Sequence, residues 1–396
     1  TLLLMPNMIF GELFLEITKG SEDPYKIAMI SFEGDSKISK QLNKIIRNDL
    51  IRTGEFYILD EGLLLPVNFI NDELVYSDWK LLGMDYLVTG KIVKLSNSVD
   101  ISYEIYDVHK KRKLRSSKVF GIPNQIRQLA HYTSDGIYES ITGIKGIAAT
   151  RLLYVNEIKD SKSISAYKLM LADSDGANEK TLLSSSEPII SPSWSPDGKK
   201  VAYVSFETGI AKVFIQEIAS GNREAVLSKE TQISSPSWSP DGKYLSLTLY
   251  QDGNAEIYIL RLRDKTLTRM TNQFAIDTES SWSPKGNKIL FTSGRSGSPQ
   301  IYELDLRKLN PKAKRISFEG TYNAKASYLP KEEGIIFVHR SDDGLFHIAL
   351  KYKRENFIRI LTEAKMDESP SVAPNGNMVI YGCLLYTSDA ADDSLR

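Results

Sequence analysis

Residue types capable of chemistry are few and dispersed in this 396-residue chain. Its four histidines are His109, His131, His339 and His347, and only the last two stand near each other, at an i, i+8 spacing that places no pair on one helical turn. Metal sites need ligands at short, regular intervals, so each histidine reads as structural or solvated. Asp173-Ser174-Asp175-Gly176 begins like a calcium loop but lacks the spacing and the closing Glu, which makes a turn the better reading. Gly294-Arg295-Ser296-Gly297-Ser298 approaches a nucleophile elbow, yet it ends in Ser and falls at an expected hairpin turn, not between a strand and a helix. No phosphate-binding glycine loop is present. The single cysteine, Cys383, can close no intramolecular disulfide and does not decide the compartment. No catalytic constellation, cofactor or metal is expected.

The elements around these residues belong to an ordinary globular composition, 41% apolar and 25% charged. Lys+Arg and Asp+Glu are 50 each, so nothing global draws the chain to nucleic acid or an anionic membrane. The one dense basic run, His109 to Arg115, lies between two alternating stretches. It reads as a solvated hairpin turn, with a polyanion contact as the alternative. Residues 1–11, TLLLMPNMIFG, are apolar and too short to span a bilayer. They read as the remnant of a secretory signal with Gly11 before the cleavage site, or else as a buried strand.

Residues 12–146 alternate between strand and helix signals. Lys26–Phe32 predicts a strand. The segment from Lys37 to Phe56 predicts a helix, with Ile38, Leu42, Ile45, Ile46 and Leu50 at helical spacing and Gly54 as its stop. A second strand (FYILD), a short helical piece and a three-stranded meander follow. Ile126–Gly143 predicts a closing helix with Ile126, Leu129, Ala130, Ile137 and Ile141 on its apolar face.

Beyond Thr150 the sequence repeats. SPSWSPDG at Ser191–Gly198 recurs at Ser235–Gly242, then in worn form as SSWSPKG (Ser280–Gly286), SYLPKEEG (Ser327–Gly334) and SPSVAPNG (Ser369–Gly376). The aligned residues Trp194, Trp238, Trp282, Tyr328 and Val372 stand 44, 44, 46 and 44 residues apart, the length of one four-stranded propeller blade. Pro-Asp-Gly supplies the hairpin after the innermost strand in the two intact copies: proline presets φ, Asp caps the turn and Gly takes the positive φ. The tryptophans are expected to pack between blades.

The WSPDG repeats, the stretch SPSVAPNGNMVIYG and the segment SITGIKGIAATRLLYV resemble the TolB family from Glu12 to about Tyr381. The resemblance implies an α/β N-terminal domain followed by an all-β propeller, six-bladed in the family and here incomplete. It also implies a non-catalytic, monomeric periplasmic scaffold of the Tol-Pal system, supporting outer-membrane integrity and cell division. Such a protein is peripheral to the membrane through its partners, the lipoprotein Pal, TolA and other envelope proteins, and binds no nucleic acid. Alignment of the blades puts Pal contacts at Gln232, Ser235 and Thr278, where Gln232 departs from a family position that can carry His. TolA contacts fall on Glu12, Leu13, Phe14, Leu15, Glu16 and Ile17. The alternative is a gating propeller of a prolyl-oligopeptidase-like peptidase whose hydrolase part is lost.

Residues 147–382 are assigned to the propeller, while Cys383–Arg396 reads as a non-native tail. Strands at Arg151–Val155, Ala166–Leu171 and Lys180–Leu183 form a blade with no leading motif strand. Five motif copies follow, the last opening a blade that stops after its second strand. The expected ring is therefore open between the Arg151 blade and the Asn377–Tyr381 strand.

Overall fold

The computed structural model describes residues 21–70, 73–159, 164–342, 344–363 and 366–383. The signal remnant, the expected TolA segment (Glu12 to Ile17) and residues 384–396 lie outside the described residues. The described residues form two compact units, one of residues 21–151 with Asp173–Ala177 added, the other of Leu152–Ala172 and residues 178–383.

The first unit is a five-stranded mixed sheet in the order Phe56–Ile58, Tyr25–Met29, Tyr86–Lys94, Val99–Asp107, Arg112–Gly121. The first three strands run parallel and the last three form the expected antiparallel meander. Helix α1 (Ser36–Arg52) starts where the Asp35 carboxylate accepts from the backbone N–H groups of Lys37 and Ile38, each at 3.1 Å. It ends four residues before the expected Phe56, because Gly54 at φ +69° turns the chain into the next strand. Its apolar stripe and that of α3 (Ile126–Thr142) cover one sheet face, with Leu42, Ile46, Ile101 and Ile137 wholly buried. Trp79 of α2 (Tyr76–Leu81) plugs the other face. The basic run divides between a hairpin turn (109–111) and the start of the strand Arg112–Gly121, pinned to local acids: His109 to Asp85 at 2.9 Å, Lys110 to Asp107 at 3.1 Å and Lys113 to Glu104 at 2.6 Å.

The second unit is a succession of antiparallel blades. Blade 1 has three strands (Arg151–Lys159, Ile164–Asp173, Lys180–Ser185) and blades 2 to 5 have four each. Their innermost strands are Ile189–Trp194, Ile233–Trp238, Asp277–Trp282 and Tyr322–Tyr328. Among the described residues, blade 6 has two strands, Asp367–Val372 and Val379–Cys383. This is the incomplete propeller expected, except that the last strand takes in Cys383, the first residue assigned to the tail. Side chains on one strand alternate between two seams. Val201 and Tyr203 pack toward blade 1 with Leu169, whereas Ala202 and Val204 pack toward blade 3 with Leu245 and Leu247. Strands apolar on both faces are what a blade between two neighbours requires. Among the described residues, neither strand pairing nor an apolar cluster joins blade 1 to blade 6.

The two Pro-Asp-Gly turns and the Pro-Lys-Gly turn of the third copy close with the same hydrogen bond, from the N–H of Gly198, Gly242 or Gly286 to the carbonyl of Ser195, Ser239 or Ser283, at 2.8–2.9 Å. The fourth copy departs from the alignment. Glu332, not Gly334, donates this bond (2.8 Å to Leu329) and takes the positive φ of +58°.

Candidate functional site

All five motif strands carry a bulge where they enter the propeller, seen as register breaks at Ile190/Ser193, Ser234/Ser237, Thr278/Ser281, Ala324/Ser327 and Glu368/Ser371. Inside each break one non-glycine residue has φ between +51° and +56°: Ser191, Ser235, Glu279, Lys325 and Ser369. Such backbone costs about 1–2 kcal/mol per residue, so its recurrence marks a geometry the blades impose. The bulge residues of blades 4 to 6 are tied to one another. Glu279 Oε2 accepts from the Lys325 N–H at 3.2 Å, and Lys325 Nζ donates to Ser369 Oγ at 2.9 Å.

The three expected contact residues fall on this end of the propeller. Gln232 is exposed immediately before blade 3, its carbonyl accepting from the Tyr250 N–H at 3.0 Å. Ser235 occupies the blade 3 bulge. Thr278, half-buried, is the second residue of the blade 4 innermost strand. Thr248 links the two innermost strands: it pairs with Ser234, the residue before the bulge, and its Oγ1 donates to Thr278 Oγ1 at 3.3 Å.

The loop leading into Thr278 was missed in the sequence. Phe274 is 85% exposed and Ile276 56%, beside otherwise polar neighbours. Glu256, 1% exposed on the third strand of blade 3, holds this loop from behind. Its carboxylate accepts from Thr271 Oγ1 at 2.5 Å, the Gln273 N–H at 2.6 Å and Arg269 Nη2 at 3.1 Å. Asn254 Nδ2 donates to the carbonyls of Gln273 (2.5 Å) and Ala275 (2.9 Å). At the loop's far end buried Asp277 pairs with Arg295 at 2.5 Å, and burial holds the Asp277 carboxyl above the usual carboxylate range. The only sequence signal was an apolar pair in a segment between blades.

The histidines are less dispersed than their spacing suggested. His339 and His347 are register partners on the blade 5 hairpin, because antiparallel pairing, not helical spacing, brings i and i+8 together here. Both are buried, and His339 Nδ1 lies 2.8 Å from Asn323 Oδ1. In the α/β unit, His131 Nδ1 lies 2.7 Å from Asp49 Oδ2, which also accepts from Ser134 Oγ at 2.8 Å. The Asp173–Gly176 turn joins them: Arg127 Nε donates to Asp173 at 2.9 Å and the same guanidinium pairs with Asp175. Asp49, His131 and Asp175 could offer ligand atoms within 4.8 Å of one another. Arg52 and Arg127 already neutralise these carboxylates, so the cluster reads as an ion-pair network. Gly294–Ser298 is the expected hairpin turn, and its Arg295 stacks over Phe291 and Tyr302.

Comparison with known proteins agrees with this architecture. The TolB amino-terminal domain family matches residues 13–114 and the TolB beta propeller domain family residues 138–389. The Tol-Pal system protein TolB of Pseudomonas aeruginosa is 46% identical over 93% of this chain and 85% of its own length. That of Alcanivorax borkumensis is 41% identical over 53% of this chain and 48% of its own length. The crystal structure of TolB from Acinetobacter baumannii superposes with a TM-score of 0.84 at 38% identity, covering 92% of this chain and 89% of that one. The chain belongs to the TolB family, as a non-enzymatic β-propeller component of the Tol-Pal system.

Proposed function

We propose that this chain is a periplasmic scaffold that binds the lipoprotein Pal at the propeller end where the innermost strands begin, and TolA through residues Glu12 to Ile17. The observation that carries the Pal reading is the loop before Thr278. It offers Phe274 and Ile276 to solvent on a backbone already fixed by Glu256 and Asn254. Large apolar side chains on a preorganised loop bind with little ordering cost, which is how interface hot spots work. Gln232, Ser235 and Thr278 supply the polar surround. Exposed acids stand on the loops of this end, among them Glu187, Glu230, Asp252 and Asp342, which favours a partner face with basic residues. Among the described residues no helix is long and apolar enough to cross a membrane, and attachment through partners is consistent with that.

Calorimetric titration of Pal into the Thr278→Arg variant tests the assignment. The bulky cation should weaken binding at least tenfold while the melting temperature holds; unchanged affinity removes this end from consideration. Deleting residues 12–17 should weaken TolA binding and leave Pal binding intact.

A further inference from the structure

The opposite end of the propeller, where the Pro-Asp-Gly turns lie, holds a cavity of about 480 Å³ between blades 3 and 4. Its walls include the rings of Tyr244 and Trp282, whose centroids are 6.5 Å apart, and the aliphatic side chains of Ile259 and Leu306. Asp241 and Lys285 line it from two successive turns. Trp282 is fixed by its Nε1 donating to the Ser237 carbonyl at 3.1 Å. The polar groups are unequally used. Asp241 Oδ1 is occupied by Ser239 Oγ (2.6 Å) and the Lys243 N–H (3.1 Å), while its Oδ2 faces only Lys243 Nζ at 3.9 Å. Neither the Tyr244 hydroxyl nor Lys285 Nζ has a partner among the described residues. Blades 2 and 4 place Lys200 and Lys288 where blade 3 has Tyr244, so the aromatic pair belongs to this seam.

We infer that this cavity is a binding site for a pyranose ring of an uncharged glycan. The volume lies within the range of small-ligand sites, which combine apolar walls with a few convergent polar groups. A carboxylate and an ammonium on the same rim match neither an anion nor a cation. They suit hydroxyls, which donate to one and accept from the other. The flat C–H face of an all-equatorial pyranose rests on an aromatic ring, and an acetamido methyl would find Ile259 and Leu306.

The test is calorimetric titration of the full chain with chitotriose. Saturable binding is expected, weakened at least tenfold in Tyr244→Lys and in Lys285→Ala. Tyr244→Lys installs the residue that blades 2 and 4 carry at this position, and Lys285 is exposed on a turn, so both variants should keep the parent melting temperature. No saturable binding by the parent chain, or undiminished affinity in both folded variants, overturns the inference.

Discussion

The two ends of the propeller solve the same connection problem in opposite ways. At the turn end one solution repeats: Ser195 and Ser239 each donate to the Asp two residues on at 2.6 Å and accept from the first N–H of the next strand at 2.9–3.0 Å. At the other end the corresponding residues differ blade by blade. The innermost strands begin with Ile189, Ile233 and Asp277, then Asn323 and Asp367 stand at the equivalent register. Their neighbours on the third strands are Lys212, Glu256, Gln300 and His347. A hairpin of fixed length leaves few sequences free, so repetition there records backbone geometry. The opposite end is held by side chains chosen seam by seam, and there the chain can diverge toward a partner.

Glu256→Ala should test that contrast most severely. Removing a buried carboxylate that satisfies a hydroxyl, a backbone N–H and a guanidinium should cost about 3 kcal/mol of unfolding free energy. Pal affinity should fall with it, because the Phe274 loop loses its backing. A loss below about 1 kcal/mol in urea unfolding, near that of a single ordinary hydrogen bond, would mean the loop is held by something else.

Ser195→Ala and Ser239→Ala should each cost about 1 kcal/mol, the worth of a local hydrogen-bonded pair, and should leave Pal affinity unchanged. Their equality matters more than their size. If one cost several times the other, the turn end would not be the uniform scaffold its sequence repeats imply.

A gentler effect is a slope with pH. Burial depresses the His339 imidazole below its ordinary pKa, the nearby His347 acting in the same direction and Glu319 and Asp342 opposing. A folded pKa below the unfolded value means that the native state binds fewer protons. Stability is then full above the unfolded pKa of about 6.5 and is lost as pH falls through the depressed folded value. Urea midpoints between pH 7 and pH 5 should fall less steeply in His339→Gln; an identical slope would assign the acid sensitivity elsewhere.

The sequence made the turn end legible because its signal is local. Trp-Ser-Pro-Asp-Gly carries the edge strand, the turn and the positive φ within five residues, and its period carries the blade. The α1 stripe and its Gly54 stop were legible for the same reason, within two residues of α1's start and four of its end, whereas the Asp35 cap emerges only in the structure. The opposite end was not. Glu256 and Asn254 stand about one hairpin away from the loop they hold, and no periodicity advertises a side chain that reaches back to a backbone N–H. The cross-strand meeting of His339 with His347 needs the hairpin register, and the meeting of His131 with the Asp173 turn needs a tertiary contact across 42 residues. The three contact positions were reached through family resemblance alone.

The smallest effect concerns the one turn that breaks its own rule. Glu332 sits at φ +58° where the other copies have glycine, a region that costs an L-residue about 1–2 kcal/mol. Its side chain returns part of this, since Oε1 accepts from the Lys285 N–H at 3.2 Å, and glycine loses more backbone entropy on folding. Glu332→Gly should therefore stabilise by only about 0.5 kcal/mol. The reverse substitution at an intact copy is the sharper control. A Cβ added at Gly242 meets nothing within 4 Å, so Gly242→Ala carries no steric term, and its loss of about 1 kcal/mol would be backbone conformation alone. If both substitutions shift the urea midpoint in the same direction, positive φ is not what these turns select, and the glycine of the repeat serves some other need.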